Sequence, residues 1–406
     1  MKKLVSLLLA ALMVTSLVAC SSKPAEGGET GGTTGGETIT LKVWGSQEDQ
    51  DMLKGMIEEF KTANADKTWD ISLGVVGEPD ARQKYLEDPA AAADVFAFAN
   101  DQLTDLVNAG ALYKVTRNTE NFKDIYSAGT IDAASIDGQL YAYPMTADNG
   151  YFMYYDSTVF SPEDVQSLDT MLAKADEAGK KVFMDVSNGW YIASFFIGNG
   201  GTLTVGEDGK QISDYNNEKG LEAGEAIKNF TAHPAFLTGD DSVLVAGLGD
   251  GSIAAGVSGT WNAEAVQEAL GEGYAATKLP AYTTANGEVQ MGSFAGYKFL
   301  GVNSQTKYPA EAMDLAAWLT NEENQIKRFE LRKMGPANIN AAASEAVKAD
   351  VALAALAEQS NYAISQKEVL GAFWNPAEAF GTAMESKDYS KSVQQMLDDM
   401  VAQIQE

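Results

Sequence analysis

The sequence predicts an α/β protein of two lobes, and three observations carry that prediction. Past a 38-residue leader and tether the 406-residue chain leaves a body of 368 residues, too long for one core and suited to two domains. Along it, strand-like stretches alternate with helices of ten or more residues, as in sheets flanked by helices. Lastly, residues 137–155 read as a strand (138–143), a polar break (144–150) and a second, almost wholly aromatic and apolar strand (151–155). Pro144 cannot donate to a ladder and Gly150 tolerates unusual dihedrals, so the chain is expected to leave one sheet here and enter another. The break then acts as a hinge with Asp148 facing a cleft. Taken alone, the same stretch fits a plain β-turn with a solvated Asp148.

In order along the body, residues 39–44 alternate as a strand, and 50–61 place Met52, Met56, Ile57 and Phe60 on one helical face. Strands follow at 70–76 and 94–98. A helix at 101–109 turns Leu103, Leu106 and Val107 inward and stops at Gly110. Beyond the hinge come a helix at 167–178, a strand at 181–185 and helices at 190–197 and 218–230. Then follow a strand at 253–258, a helix at 263–270 and a strand at 298–302. Pro309 opens a helix, and the rest is mainly helical. The sheets are expected to be largely parallel. No internal repeat or coiled-coil heptad is evident.

The N-terminus carries its own message. Two lysines precede a fifteen-residue apolar run from Leu4 to Val18, short of the roughly 20 residues a membrane span needs. Basic start, short apolar middle and small residue before the cut describe a secretory signal at 1–19. Ala19-Cys20 resembles a bacterial lipobox. Cys20 is the only cysteine, and lipidation at its sulfur explains keeping one thiol in an exported chain. Residues 20–38, rich in Gly, Ser, Thr and Glu, cannot bury enough apolar surface to order themselves. They form a tether of roughly 23 Å.

Removal of Lys2 and Lys3 with the signal takes the net charge from −28 to −30, 27 basic residues against 57 acidic. Such a surface repels phosphate backbones, so nucleic acid is not an expected partner. With one histidine, His233, and no cysteine in the body, zinc or copper sites of the usual type are nearly excluded. A nucleophile–histidine pair would need His233, which sits in no motif. Gly198-Asn-Gly-Gly201 follows a helix rather than a strand, so it reads as a cap and turn instead of a phosphate cradle. No cofactor is expected.

What the body does carry is aromatic residues beside short polar ones at element ends: Phe98 with Asn100 and Asp101, Asn188 with Trp190, Thr260 with Trp261 and Asn262, and Phe373 with Trp374 and Asn375. The carboxyl ends of α/β strands are where ligands bind. A sugar offers an apolar C–H face to an aromatic ring and a rim of hydroxyls to polar groups. Carboxylates such as Asp101 and Asp148 each accept two hydroxyl bonds. Singly, each Trp also fits a hydrophobic core, and Trp69 and Trp318 read as core.

The lipobox, the tether, Thr40-Leu-Lys-Val-Trp44, Asp94-Val-Phe-Ala-Phe98, Leu112 after Gly110, and Asp137-Gly-Gln-Leu-Tyr-Ala-Tyr-Pro144 together resemble extracellular solute-binding proteins of carbohydrate ABC importers. Ser258-Gly-Thr-Trp261 and Ala372-Phe-Trp374 resemble the maltose/maltodextrin-binding branch. The resemblance spans the body from residue 39. It implies a type II periplasmic-binding-protein fold, with lobe I from 39–147 plus about 296–340 and lobe II from 148–295 plus about 341–406. It implies a monomeric, non-enzymatic lipoprotein on the extracytoplasmic face that closes on an oligosaccharide and delivers it to permease subunits. Carried over position by position, Trp190, Trp261 and Trp374 match aromatic platforms, with Phe98 at a further aromatic position. Asp101 matches a hydroxyl-binding aspartate, Asp148 falls where the hinge has a glutamate, and Glu48 lies at a first-loop acidic position. Asn188 belongs with Trp190. Two cations of the maltose type are missing, since Gln102 and Asp49 stand in their places, which weakens the implication of maltose itself.

Two other readings share these residues. A lipid-anchored glycoside hydrolase would use Asp101 and Asp148 as paired carboxylates in the same cleft. A binder of a non-sugar solute would need an arginine clamp or clustered Tyr and His. The arginine candidates, Arg82, Arg117, Arg328 and Arg332, lie outside the aromatic motifs, and the clustered-Tyr case, that of an iron binder, rests on Tyr154 and Tyr155.

Overall fold

The computed structural model describes residues 37–406. The signal, Cys20 and all but the end of the tether lie outside the described residues. Thr38, read as the tether's last residue, already begins the first strand, Thr38–Gly45.

Two mixed sheets organise the chain. The first has six strands, in the order Ala363–Ser365, Ser293–Val302, Val95–Ala99, Thr38–Gly45 and Thr68–Val75, with Ala142–Gly150 pairing Ser293–Val302 as well. The second has five, in the order Phe236–Leu237, Lys181–Phe183, Ile253–Ser258, Phe152–Asp156 and Tyr274–Thr277. Parallel pairing holds for the βαβ portions, such as Thr38–Gly45 with Thr68–Val75. The strands that leave and re-enter a sheet pair antiparallel: Ser293–Val302 with both Val95–Ala99 and Ala142–Gly150, and Phe152–Asp156 with both Ile253–Ser258 and Tyr274–Thr277. The sheets are therefore less parallel than strand–helix alternation implied.

Both faces of each sheet are covered. On the first, Val43, Val95 and Leu300 pack against Met56 and Phe60 of helix Gln50–Ala63 and Leu315 of helix Pro309–Leu319, while Phe96, Phe98 and Phe299 pack against Leu103 and Leu106 on the other side. On the second, Met153, Val182 and Val257 face Leu172, Phe195, Ile227 and Leu397. Phe152, Tyr154 and Phe183 face Leu244, Val266 and Ala355. Large apolar faces leaving water on both sides of each sheet hold the two lobes as separate cores.

The expected polar break at 144–150 is a correction. Ala142–Gly150 runs as one strand through Pro144, Asp148 and Asn149. Against Ser293–Val302, Asn149 pairs Gly296, Thr146 pairs Lys298 and Pro144 pairs Phe299, so the strand holds one more residue than its partner at each of two steps. Bulges of this kind accommodate a proline that cannot donate, and they re-aim side chains. The Pro144 carbonyl accepts instead from Tyr126 Oη (3.3 Å) and Gln325 Nε2 (3.2 Å). The chain leaves the first sheet after Gly150 and enters the second at Phe152, three residues later than the boundary read from sequence, and returns at Ser293. Residues 101–109 are a 3₁₀ turn, Asn100–Gln102, followed by helix Leu103–Asn108.

Asp49 bears on stability. Its carboxylate is buried and accepts from Arg328 Nη1 (2.7 Å) and Arg332 Nε (3.2 Å), and the Arg328 side chain is only 1% exposed. Asp49→Ala strands a buried guanidinium, so unfolding free energy measured in urea is expected to drop by about 3–5 kcal/mol.

Candidate functional site

The site is built where strand ends of the two sheets meet. Ser258 ends strand Ile253–Ser258, and the next residues turn through the 3₁₀ segment Thr260–Asn262, which carries Trp261. A Cβ on Gly259 would lie 2.0 Å from Trp261 Cζ3, so only glycine lets the indole fold back over the turn. Trp261 Nε1 donates to Asp241 Oδ2 (2.9 Å), and Asp241 Oδ1 accepts from Ser258 Oγ (3.1 Å). Trp190 opens helix Gly189–Gly198, where Asn188 is the N-cap and accepts from Trp190 N (3.0 Å). The two half-buried indoles lie 5.7 Å apart at 42°, with Tyr151 against Trp190 at 4.5 Å. Burial raises the Tyr151 hydroxyl well above its usual range.

The carboxyls come from the first lobe's side. Asp148 is buried, and its Oδ2 accepts from Thr260 Oγ1 (2.7 Å) and Gly335 N (2.5 Å), tying the strand to the turn that carries Trp261. Asp101, on the 3₁₀ turn after Val95–Ala99, is 9% exposed. Desolvation pushes its carboxyl up to about 6, against hydrogen bonds from its own N–H and the Gln366 side chain and the charge of Arg82. Gln366 joins the two sides. Its Oε1 accepts from Trp190 Nε1 (2.8 Å) and Asn149 Nδ2 (3.3 Å) while its amide reaches Asp101. Asp101 Oδ1, Asp148 Oδ1, Thr146 Oγ1 and Asn100 Nδ2 are buried without a hydrogen-bond partner in the protein. An unsatisfied buried polar atom costs about 1–3 kcal/mol, which a polar ligand reaching these four atoms would recover.

The eight residues singled out in the sequence fall in different places. Asp101, Asp148, Asn188, Trp190 and Trp261 converge. Trp374 opens helix Trp374–Glu385, its ring against Phe294 (5.9 Å) and Phe373 (5.0 Å). Its carbonyl lies close to Gly189 at the foot of the Trp190 helix, but no ring contact joins it to the indole pair. Glu48 is exposed in the first loop. Phe98 is fully buried between Phe96 and Phe299, inside the first lobe's core, so it offers no ring to the gap. Strand Val95–Ala99 is covered on both faces, and an aromatic on it is taken up by packing. The sequence reading of Phe98 as a ligand-facing ring is corrected accordingly.

Other participants escaped the sequence. Gln366, Thr260, Asp241 and Lys298 act through contacts across 17 to 217 residues of chain, and only Thr260 lay inside a recognisable motif. Gln102 donates to Glu78 O (2.7 Å) and accepts from Arg82 N (2.9 Å), which brings Arg82 near Asp101. The Arg82 guanidinium pairs with Asp105, and its charge acts on Asp101 from another turn. Asp49, likewise, is met by Arg328 and Arg332, and Arg332 also reaches Glu264 (3.6 Å) beside the Trp261 turn. A cavity of about 350 Å³ lies between Arg82 and Asp105 on one side and Gln211, Leu370 and Gly371 on the other, outside the indole pair. Among the described residues no three His, Cys, Asp or Glu side chains group to hold a metal ion, and no helix is long and apolar enough to cross a membrane.

Two α/β lobes with aromatic rings and buried, unpartnered carboxyl oxygens between them define a binding protein. Over residues 55–355 the chain matches the family of bacterial extracellular solute-binding proteins, and it belongs to that family. It is accordingly an extracytoplasmic binder and not an enzyme. It is 28% identical over 397 residues to the galactooligosaccharide-binding protein of Bacillus subtilis (strain 168), covering 93% of this chain and 91% of that one. A solved structure described as being with acarbose shares 34% identity and a TM-score of 0.83, over 91% of this chain and 99% of the other. The maltodextrin-binding protein from L. casei BL23, solved without ligand, shares the fold at 23% identity and a TM-score of 0.76, over 91% and 100%.

The raised Asp101 carboxyl has a sign that can be checked. Its folded value of about 6 exceeds the ordinary 3.8, so the folded state holds the proton more tightly and loses stability as pH rises from about 4 to 6. Asp101→Asn should remove that loss, gaining up to roughly 3 kcal/mol on wild type between pH 4 and 7 in urea unfolding.

Proposed function

We propose that this protein captures an oligosaccharide between its two lobes and delivers it to the permease of an ABC importer. The observation that supports this most directly is the Trp190–Trp261 pair set beside Asp101 and Asp148, each with a buried oxygen that no protein group satisfies. Pyranose rings stack on the indole faces, and their hydroxyls donate to the carboxyls. A ligand touching both lobes binds the closed arrangement better and shifts the population toward it. Gln366, bonded to Asp101, Asn149 and Trp190 at once, and Asp148, bonded to Thr260 and Gly335, supply the contacts that distinguish closed from open.

Among substrates, the reading favours a neutral hexose oligomer, with maltodextrin-type α-glucans first. The Bacillus subtilis relative, by its name, makes galactooligosaccharides the second candidate. The protein acts as a monomer held by lipid on Cys20, with the residues between Cys20 and Thr38 as tether. Lobe boundaries close to Gly150 and Ser293 make the crossing strands the hinge. Glu48 and Trp374 lie at the margins of this site and are proposed to contact only a longer ligand.

A thermal-shift panel tests the reading with maltooligosaccharides, galactooligosaccharides and chitooligosaccharides. A sugar at a hundred times its dissociation constant should add about 2.7 kcal/mol of stability. Micromolar affinity corresponds to about −8 kcal/mol. No rise with any of the sugars sinks the oligosaccharide reading. With the responding sugar, Trp190→Ala and Trp261→Ala are each expected to weaken binding at least tenfold by calorimetry while leaving the sugar uncleaved. Cys20→Ala should move the protein from the membrane fraction to the soluble fraction.

A further inference from the structure

Lys298 is the one buried lysine among the described residues, 7% exposed. It stands in strand Ser293–Val302, where its backbone pairs Ala99 and Thr146. Its side chain crosses to the second lobe, with Nζ 5.2 Å from the centre of the Trp261 ring. That ring is its one side-chain partner: among the described residues the ammonium has no hydrogen bond and no ion pair. Its stem is buried, while the ammonium is not among the side-chain atoms shut off from water without a partner, so Nζ reaches solvent beside the ring and has donors free for a ligand. Unsatisfied acceptors lie on its strand neighbours: Thr146 Oγ1 opposite it, and Asp101 Oδ1 two residues past Ala99.

Resting on the oligosaccharide-capture reading, we infer that Lys298 is a ligand-contacting specificity residue. It yields the Trp261 face to a neutral pyranose and donates to that sugar's hydroxyl and ring oxygens. The exchange is chemically balanced in kind, because a stacked C–H face replaces the cation on the ring and sugar oxygens replace the ring as the cation's partner. The surroundings also fix the sugar's charge. Asp101, Asp148 and Asp241, which holds the Trp261 Nε1–H, repel an acidic sugar. A subsite for a sugar without an acidic group remains.

The test uses the full chain and two variants, Lys298→Met and Lys298→Gln, with calorimetric titration of maltotetraose and of β-1,4-linked galactotetraose and with thermal unfolding of the sugar-free proteins. Binding of whichever sugar the wild type takes should weaken at least tenfold in both variants. The sugar-free melting temperature of Lys298→Met should equal or exceed wild type, which a structural role would not produce. The glutamine variant carries the affinity comparison if the methionine variant does not fold. Unchanged affinity in the variants overturns the inference, as does tighter binding, which would make the lysine a mere plug on Trp261. A lower sugar-free melting temperature with an undiminished sugar-induced rise overturns it too. In each of those three cases the wild type still binds and the capture reading stands. A wild type that takes neither sugar, here or in the wider panel, removes both.

Discussion

One buried amide holds the arrangement. Gln366 accepts hydrogen bonds from Asn149 on the crossing strand and from the Trp190 indole of the second lobe, and its amide donates toward Asp101 of the first. An amide both accepts and donates, which a carboxylate or an ammonium cannot do, so it can join two donors and an acceptor from three elements without stranding a charge. The indole it holds is fixed at its other side by Tyr151. With its partners spread over both sheets, the amide's bonds depend on the lobes standing in this relation. Networks of this kind, in a low-dielectric setting, are strong when complete and costly when partly broken.

The fold was legible where burial is strong and local. Strand Ile253–Ser258 and helix Ala263–Leu270 agree with their sequence reading, since an apolar strand followed by a polar turn and an amphipathic helix leaves little choice. Pro309 opens its helix as its fixed φ favours. What escaped has a common cause. The strand Tyr274–Thr277, the hairpin Ala281–Thr284 with Gly287–Gln290, and Ala363–Ser365 are three or four residues each, too short for periodicity to register. Helix Asp241–Asp250, with three glycine and aspartate residues in its final four, resembles a loop by composition and is secured by the Asp240 cap instead.

The site was legible only in part, and the division follows sequence distance. Asn188 and Trp190 are positioned by a cap two residues long, and Trp261 by the glycine two residues before it. Such devices can be read from adjacent letters. Gln366 and Lys298 gain their meaning from partners more than thirty residues away, so a glutamine in a helical region and a lysine in a strand looked ordinary. Phe98 shows the converse: its motif was read correctly as a strand end, yet alternation along a strand with both faces covered cannot say which ring meets solvent.

The two bulges of Ala142–Gly150 have a consequence for how this gap can change through insertion and deletion. Side chains alternate between faces with a period of two, so removing one residue between Pro144 and Asp148 would turn Asp148 to the opposite face while every residue kept its identity. Removing two would restore the alternation and shorten the span between the lobes. Point substitutions can retune the lining of the gap one side chain at a time, whereas its width and handedness are written in the number of residues that the crossing strand contains.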